Sequence, residues 1–315
     1  MAEQEAAHMT IVVPSDGSAV SARALPYALA LATPGTEVIL LNVIEREEPI
    51  RNLAGHVSES ADVQTRRAAE QARKELIDLT KDLTMEKPVT FTELVRAGDP
   101  AKEIAAVAEE VGADFLIMAS HGRGAAGRWT FGSVADEVSR AAGPPVLIVR
   151  VAAEKAPELP LNAPATVERL VVPIDGSDLS RRALPVTADL GSRLNVPIKL
   201  LMAVDFPVAG PTMGMDAAWG YEAGELLEEM ESEASQQLKV ARQAMLDDHN
   251  KLDISMDVLR GPAASSVIRE TLPTDVVVLS SRGRSGFGRL LLGSVAEQLV
   301  RTGRCPVLLV RKPAA

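Results

Sequence analysis

The sequence predicts an α/β protein made of two tandem, doubly wound domains, each built on a five-stranded parallel sheet. Three observations predict it. Short, continuously apolar runs such as EVILLNVIE (Glu37–Glu45) alternate with helix-type segments, as in strands buried on both faces of a parallel sheet. The stretch FLIMASHGRGAAGRWTFGSVADEVSRAAGPPVLIVR, from Phe115, recurs from Val277 as VVLSSRGRSGFGRLLLGSVAEQLVRTGRCPVLLVR. The turn Pro14-Ser15-Asp16-Gly17-Ser18 recurs as Pro173-Ile174-Asp175-Gly176-Ser177. A direct duplication is the simplest account of a 315-residue chain, a length that suits about two domains.

Thr10–Pro14 reads as the first strand, followed by turn residues and a helix over AVSARALPYALALA. Glu37–Glu45 is the second strand. Arg46–Ser60 is polar, contains His56, and reads as a surface connection. Ala61–Leu83 has the spacing of a long amphipathic helix, and Val89–Arg96 is the third strand. Gly98-Asp99-Pro100 caps a helix over Ala101–Val111. Asp114–Ala119 is the fourth strand, then come a Gly/Arg-rich loop, a helix from Ser133 to Ala142 and the strand Val146–Val151. The crossovers are expected to be right-handed.

The first domain is assigned to residues 1–151. Residues 152–166, with Pro157, Pro160 and Pro164, read as a semi-extended linker, and the second domain covers 167–315. There the pattern restarts with Arg169–Pro173 and ends in the strand Val307–Arg311. The halves differ most after the second strand, where Asp205–Tyr221 is apolar and rich in Gly and Pro. Met213, Met215, Trp219 and Tyr221 form either a lid or subunit contact, or a self-packed surface loop. Glu222–Asp248 resumes the long helix, acidic at its start and so matched to the helix dipole.

A net charge of −10 argues against nonspecific nucleic-acid binding and against an anionic membrane surface. One cysteine, Cys305, excludes an intramolecular disulfide and fits a reducing cytoplasm; at the start of an apolar strand it reads as a small buried hydrophobe. No signal-type segment and no apolar run of membrane-spanning length occurs, so a soluble cytoplasmic protein is expected.

The chemistry concentrates at the duplicated loop. Gly122, nine residues and Gly132-Ser133 in the first half match Gly283, nine residues and Gly293-Ser294 in the second. Glycines let backbone N–H groups approach phosphate oxygens, and Gly-Ser opens a helix whose positive end faces the same point. An ordinary N-cap serine is the plain alternative. Ligands of doubly wound sheets sit beyond the carboxyl ends of the strands, where the strand order reverses. Asp16 and Asp175 stand at such ends, either as carboxylates for a ligand or as Asx-turn residues. His121 and its counterpart Arg282 suit a phosphate. Arg123 and Arg284 suit either a phosphate or solvent. Gly122–Gly127 spells GxGxxG but follows the fourth strand, not the first, and the second copy breaks the spelling at Ser285. No Walker lysine, HExxH, CxxC or GxSxG pattern is present. The chain is therefore read as a binding protein, not an enzyme.

These loops resemble those of the universal stress protein family in its tandem two-domain form. The family pattern is Gly, two residues, Gly, nine residues, Gly and Ser or Thr. Ala119 and Ser280 stand where its first glycine would be. The resemblance implies the nucleotide-binding α/β fold of the α/β-hydrolase-like, or HUP, type, with the domains related by a pseudo-two-fold axis and their last strands pairing across it. It implies ATP, with Mg²⁺ held mainly by phosphates, as the ligand of each domain. In the first domain it places Pro14, Ser15, Asp16, Val43, Met118, Ala119, His121, Gly122, Arg123, Gly132, Ser133 and Val134 at the nucleotide. In the second it places Pro173, Ile174, Asp175, Val204, Leu279, Ser280, Arg282, Gly283, Arg284, Gly293, Ser294 and Val295 there. A stress-response role through ligand-coupled regulation or binding of protein partners follows from it, as does a homodimer of tandem chains. The rival readings are a slow ATP hydrolase and a stress scaffold that binds no nucleotide. A relation to ATP pyrophosphatases, which resemble SGGxDS after the first strand, is disfavoured because Ser15-Asp16-Gly17-Ser18 lacks the paired glycines.

Overall fold

The computed structural model describes residues 8–45, 50–51, 57–83, 87–121, 132–151, 161–205, 217–281 and 293–311. The chain separates into two compact units, the change falling between Thr166 and Val167.

The first unit contains β1 (Thr10–Pro14), α1 (Leu25–Leu31), β2 (Thr36–Ile44), β3 (Ile50–Arg51), β4 (Val57–Glu59) and α2 (Ala61–Thr80). It continues with β5 (Val89–Ala97), α3 (Pro100–Glu110), β6 (Phe115–His121), α4 (Ser133–Ala141) and β7 (Val146–Val151). Its main strands lie in the order β7-β6-β1-β2-β5, all parallel. The order reverses between β1 and β6, which opens a crevice at their carboxyl ends. The inner strands are mostly buried, with Ile11, Val12, Leu40, Leu41, Leu116 and Ile117 in the core. The edge strand β5 is only partly buried, as one covered face requires, and α2 packs on it and on β2 through Ala72 and Leu76.

The second unit repeats the plan with β8 (Arg169–Pro173), α5 (Asp178–Arg181), α6 (Ala183–Leu194), β9 (Ile198–Val204) and α7 (Ala217–Asp248). Then follow β10 (Ile254–Arg260), α8 (Ala263–Glu270), β11 (Asp275–Ser280), α9 (Ser294–Thr302) and β12 (Val307–Val310). Its strands run β10-β9-β8-β11-β12, again all parallel. Asn195 ends α6 in the left-handed conformation (φ 53°), a cap that asparagine tolerates.

The structure departs from the sequence reading in four places. The polar connection after β2 contains an antiparallel ribbon, β3 with β4, in which Ile50 faces Glu59. His56 lies outside the described residues. The helix after β1 begins as a 3-10 turn, Ser21–Ala24, and its counterpart is broken into α5 and α6. The long helix α7 starts at Ala217, so Trp219 and Tyr221 belong to it rather than to a loop, while Met213 and Met215 lie outside the described residues. The end of the segment read as a linker docks on the first unit, where Ala165 N–H donates to the Pro26 carbonyl at 2.8 Å. Residues 152–160 lie outside the described set.

Candidate functional site

In the first unit a cavity of about 330 Å³ opens at the carboxyl ends of β1, β2 and β6, beside the starts of α3 and α4. The strand order reverses at this point, so the crevice is a consequence of the topology. Pro14, Ser15, Asp16, Val43, Met118, Ala119, Gly132, Ser133 and Val134 all line it. These sequence-predicted residues come from separate stretches of the chain and meet in one place. The backbone of His121 ends β6, but its side chain, Gly122 and Arg123 lie outside the described residues.

The turn after β1 is built by its own hydroxyls. Ser15 N–H donates to the Leu41 carbonyl at 2.8 Å, which ties the turn to β2. The Ser15 and Ser21 hydroxyls stand 2.9 Å apart, and Ser18 Oγ donates to Ser21 Oγ at 3.3 Å. Ser18 N–H donates to Asp16 Oδ1 at 3.0 Å, closing an Asx-type turn. Gly17 takes φ 77°, a conformation that glycine adopts without steric cost. Burial alone would raise the Asp16 carboxyl; the hydrogen bonds of Ser18 and Ser21 outweigh it and hold the group below its ordinary 3.8. Asp16 therefore presents an exposed, ionised carboxylate at the cavity rim. Asp16 makes the turn and also borders the cavity.

At the opposite wall, Gly132 N–H donates to Ser120 Oγ at 3.2 Å, which joins the end of β6 to the start of α4. Among the described residues no side chain caps α4. Its acidic first-turn residue, Asp136, is held by Arg140 at 2.6 Å, four residues on. In α9 Glu297 and Arg301 are paired likewise at 2.8 Å. The positive end of each helix is thus left to act on an anion with less opposition. Sequence reasoning missed Ser18, Val20, Ser21, Leu41, Pro100, Ile104, Ser120 and Ala135, which also line the cavity. The SDGSxxS spacing pointed to Ser18 and Ser21, and Pro100 follows the carboxyl end of a parallel strand.

The second unit repeats the arrangement with changes. Ile174 N–H donates to the Leu201 carbonyl at 2.8 Å, as Ser15 does to Leu41. Ser177 donates to Asp175 Oδ1 through its N–H (3.0 Å) and its hydroxyl (2.6 Å). Here too burial raises the carboxyl while the Ser177 and Ser180 hydrogen bonds bring it below 3.8. Ser280 Oγ donates to the Ser180 carbonyl at 3.3 Å, linking β11 to this turn. Pro173 and Leu279 lie at the carboxyl ends of β8 and β11, and Gly293, Ser294 and Val295 open α9. Arg282, Gly283 and Arg284 lie outside the described residues.

Val204 is not placed as Val43 is. Gly98 N–H bonds to the Ile44 carbonyl and Gly261 N–H to the Val204 carbonyl, so Val204 is the counterpart of Ile44. Ala203 occupies the register of Val43. A one-residue step on a strand turns a side chain to the opposite face. Ala203, not Val204, therefore shares the cavity-facing register in the second unit.

Comparison with known proteins agrees with these observations. A model of the universal stress protein family matches residues 8–150 and again 166–311. A universal stress protein of Methanocaldococcus jannaschii is 30% identical over 155 residues, covering 48% of this chain and 86% of that one. One from Mycolicibacterium smegmatis is 26% identical over 319 residues, covering 98% and 99% of the two chains. The crystal structure of a universal stress protein from Archaeoglobus fulgidus superposes with a TM-score of 0.59 at 17% identity, covering 97% of this chain and 98% of that one.

Proposed function

Because the chain belongs to the universal stress protein family, we propose that each domain binds an adenine nucleotide, ATP foremost, at the carboxyl ends of its sheet and acts by ligand-coupled regulation or partner binding. The single observation that carries this reading is the composition of the first unit's cavity. Val20, Leu41, Val43, Ile104 and Met118 give it an apolar interior, while Asp16 and the start of α4 give it one acceptor group and one anion-favouring group. Its volume of about 330 Å³ lies in the range of small-molecule sites.

The base would lie on Val43 and Met118, and Asp16 would accept hydrogen bonds from the ribose. Gly132, Ser133 and Val134 would offer the first free amides of α4 to phosphate oxygens. Mg²⁺ would be held mainly by the phosphates themselves. The reading assigns binding and no turnover.

Titration calorimetry with ATP and Mg²⁺ tests it. Asp16→Ala and Gly132→Val, in separate proteins, are each expected to weaken the first site at least tenfold, since each removes or blocks a polar contact of about 1.5–3 kcal/mol. Unchanged affinity in both would refute the placement. A second reading, a scaffold without nucleotide, is favoured by Ala119 and Ser280, where the family pattern has glycine. An absence of heat and of thermal shift at millimolar ATP would establish it.

A further inference from the structure

Five large apolar side chains stand well exposed among the described residues, and four of them lie on the two long helices. Val63 and Ile77 are 42% and 38% exposed on α2, and Leu226 and Val240 are 47% and 51% exposed on α7. Each pair spans about 21 Å of helix, with a glutamate midway, Glu70 in α2 and Glu233 in α7. A step of seven residues is close to two turns, so each trio lies on one stripe. Other faces of the two helices pack on the sheets, through Ala72 and Leu76 in α2 and through Ala234, Leu238, Ala241 and Met245 in α7.

The two helices are counterparts in the duplicated plan, since Glu75 lies against Gly17 as Gln237 lies against Gly176. Ala72 and Leu76 then match Ala234 and Leu238, and all four are buried. The same match places Arg66 and Arg67 in α2 where Glu228 and Glu229 stand in α7. The helix has therefore reversed its charge between the domains. Residues 66–74 hold four cations and one carboxylate, whereas residues 225–233 hold five glutamates and no cation. Arg66, Arg73 and Lys74 are exposed beside the first stripe, and Glu225, Glu228 and Glu229 beside the second.

We propose that α2 of one copy of this chain docks on α7 of a second copy, with the apolar side chains in the contact and the opposite charges around it. Pairing of like stripes is disfavoured, because α2 on α2 brings cations together and α7 on α7 brings glutamates together. Each chain carries one stripe of each sign at a similar place in its domain, so a second copy supplies the complement of both. The contact is thus between unlike surfaces, and its charged rim makes it sensitive to salt. One pair of helices gives a small interface, so the association is of the weak, reversible kind. It does not depend on the nucleotide reading above.

The test is sedimentation equilibrium of the full chain without nucleotide, at low salt and at tens to hundreds of micromolar protein. The mean mass should rise above that of the 33.4 kDa chain as concentration rises, and fall back when salt is added. Two variants, Arg66→Glu/Lys74→Glu and Glu225→Lys/Glu229→Lys, should each weaken self-association by about tenfold or more, since each turns attraction at the rim into repulsion. All four residues are exposed, and circular dichroism checks that both variants keep the fold. An equimolar mixture of the two variants should associate about as well as the wild type, because each then meets the opposite charge on the other. A wild type that stays monomeric throughout would overturn the proposal. So would self-association unchanged in both variants, which would place the contact elsewhere, or a mixture that associates no better than either variant alone.

Discussion

Replacing Ser120 and Ser281 by alanine, one at a time, should shift stability in opposite directions. The two serines share a register and are both buried, 6% and 2% exposed, but among the described residues only Ser120 holds a partner. A buried hydroxyl without a partner costs about 1–3 kcal/mol. Ser281→Ala removes that cost, so a gain of about 1 kcal/mol is expected. Ser120→Ala loses a hydrogen bond worth about 1 kcal/mol and strips Gly132 N–H of its acceptor, so a loss of about 1–2 kcal/mol is expected. On a domain of this size 1 kcal/mol moves the melting temperature by about 2–4 °C. Thermal and urea denaturation of the ligand-free full chain, followed by far-ultraviolet circular dichroism, resolves such shifts. A Ser281→Ala protein less stable than the wild type, or two variants shifted in the same direction, would refute the reasoning, because Ser281 would then have a partner in the folded chain.

Four further outcomes follow from the same structure. Asp275 is 1% exposed and meets Arg169 through two hydrogen bonds, 3.1 and 2.7 Å. Arg169→Met should cost about 3–5 kcal/mol in urea unfolding, and the double variant Arg169→Met/Asp275→Leu should recover most of it. Gly176 and Gly35 both have positive φ, but a side chain at Gly176 would strike Gln237 whereas Gly35 has open space. By the same measurement, Gly35→Ala and Gly176→Ala should each cost about 1–2 kcal/mol, the left-handed penalty, because the Gln237 amide is the end of a flexible side chain that can turn away. The folded pKa of Asp16 lies below 3.8, so its stabilising contribution is present above that value and is lost as pH falls through the folded pKa. Wild type and Asp16→Asn should therefore converge in urea midpoint below that window and separate above it. Burial pushes the Cys305 thiol up to about 11, so at pH 8 a thiol reagent should label the native protein slowly and the unfolded protein fast.

Much of the architecture was legible because the chain states its plan twice. The continuous apolar runs at Thr10–Pro14, Val146–Val151 and Arg169–Pro173 coincide with β1, β7 and β8. Asp99 was legible as a cap, and its carboxylate accepts from Lys102 N–H at 3.1 Å. The cavity was legible in outline because the turn after β1 and the Gly-Ser helix start are each marked by glycine and short hydroxyl residues. What escaped lacked a period. Ile50–Arg51 and Val57–Glu59 pair as a ribbon too short and too polar to show alternation. The start of α7 was hidden by the Gly/Pro-rich composition before it. Val204 was misplaced because an apolar strand shows no alternation to fix its register, and the second domain holds one more residue between Ile174 and Leu201 than the first holds between Ser15 and Leu41. Ser120 and Ser281 read identically in sequence, yet among the described residues only Ser120 has a hydrogen-bond partner. The glycines that open α4 and α9 also differ in backbone hand, Gly132 at φ −55° and Gly293 at φ 76°, which sequence does not display.

The most direct test of nucleotide binding is mass spectrometry of what freshly purified, denatured protein releases, with stoichiometry, alongside the melting temperature with and without added ATP and Mg²⁺. The account predicts adenine nucleotide in the released fraction, approaching one per domain on saturation, and a melting temperature that rises with ATP concentration. No released nucleotide together with no thermal shift at millimolar ATP would contradict it.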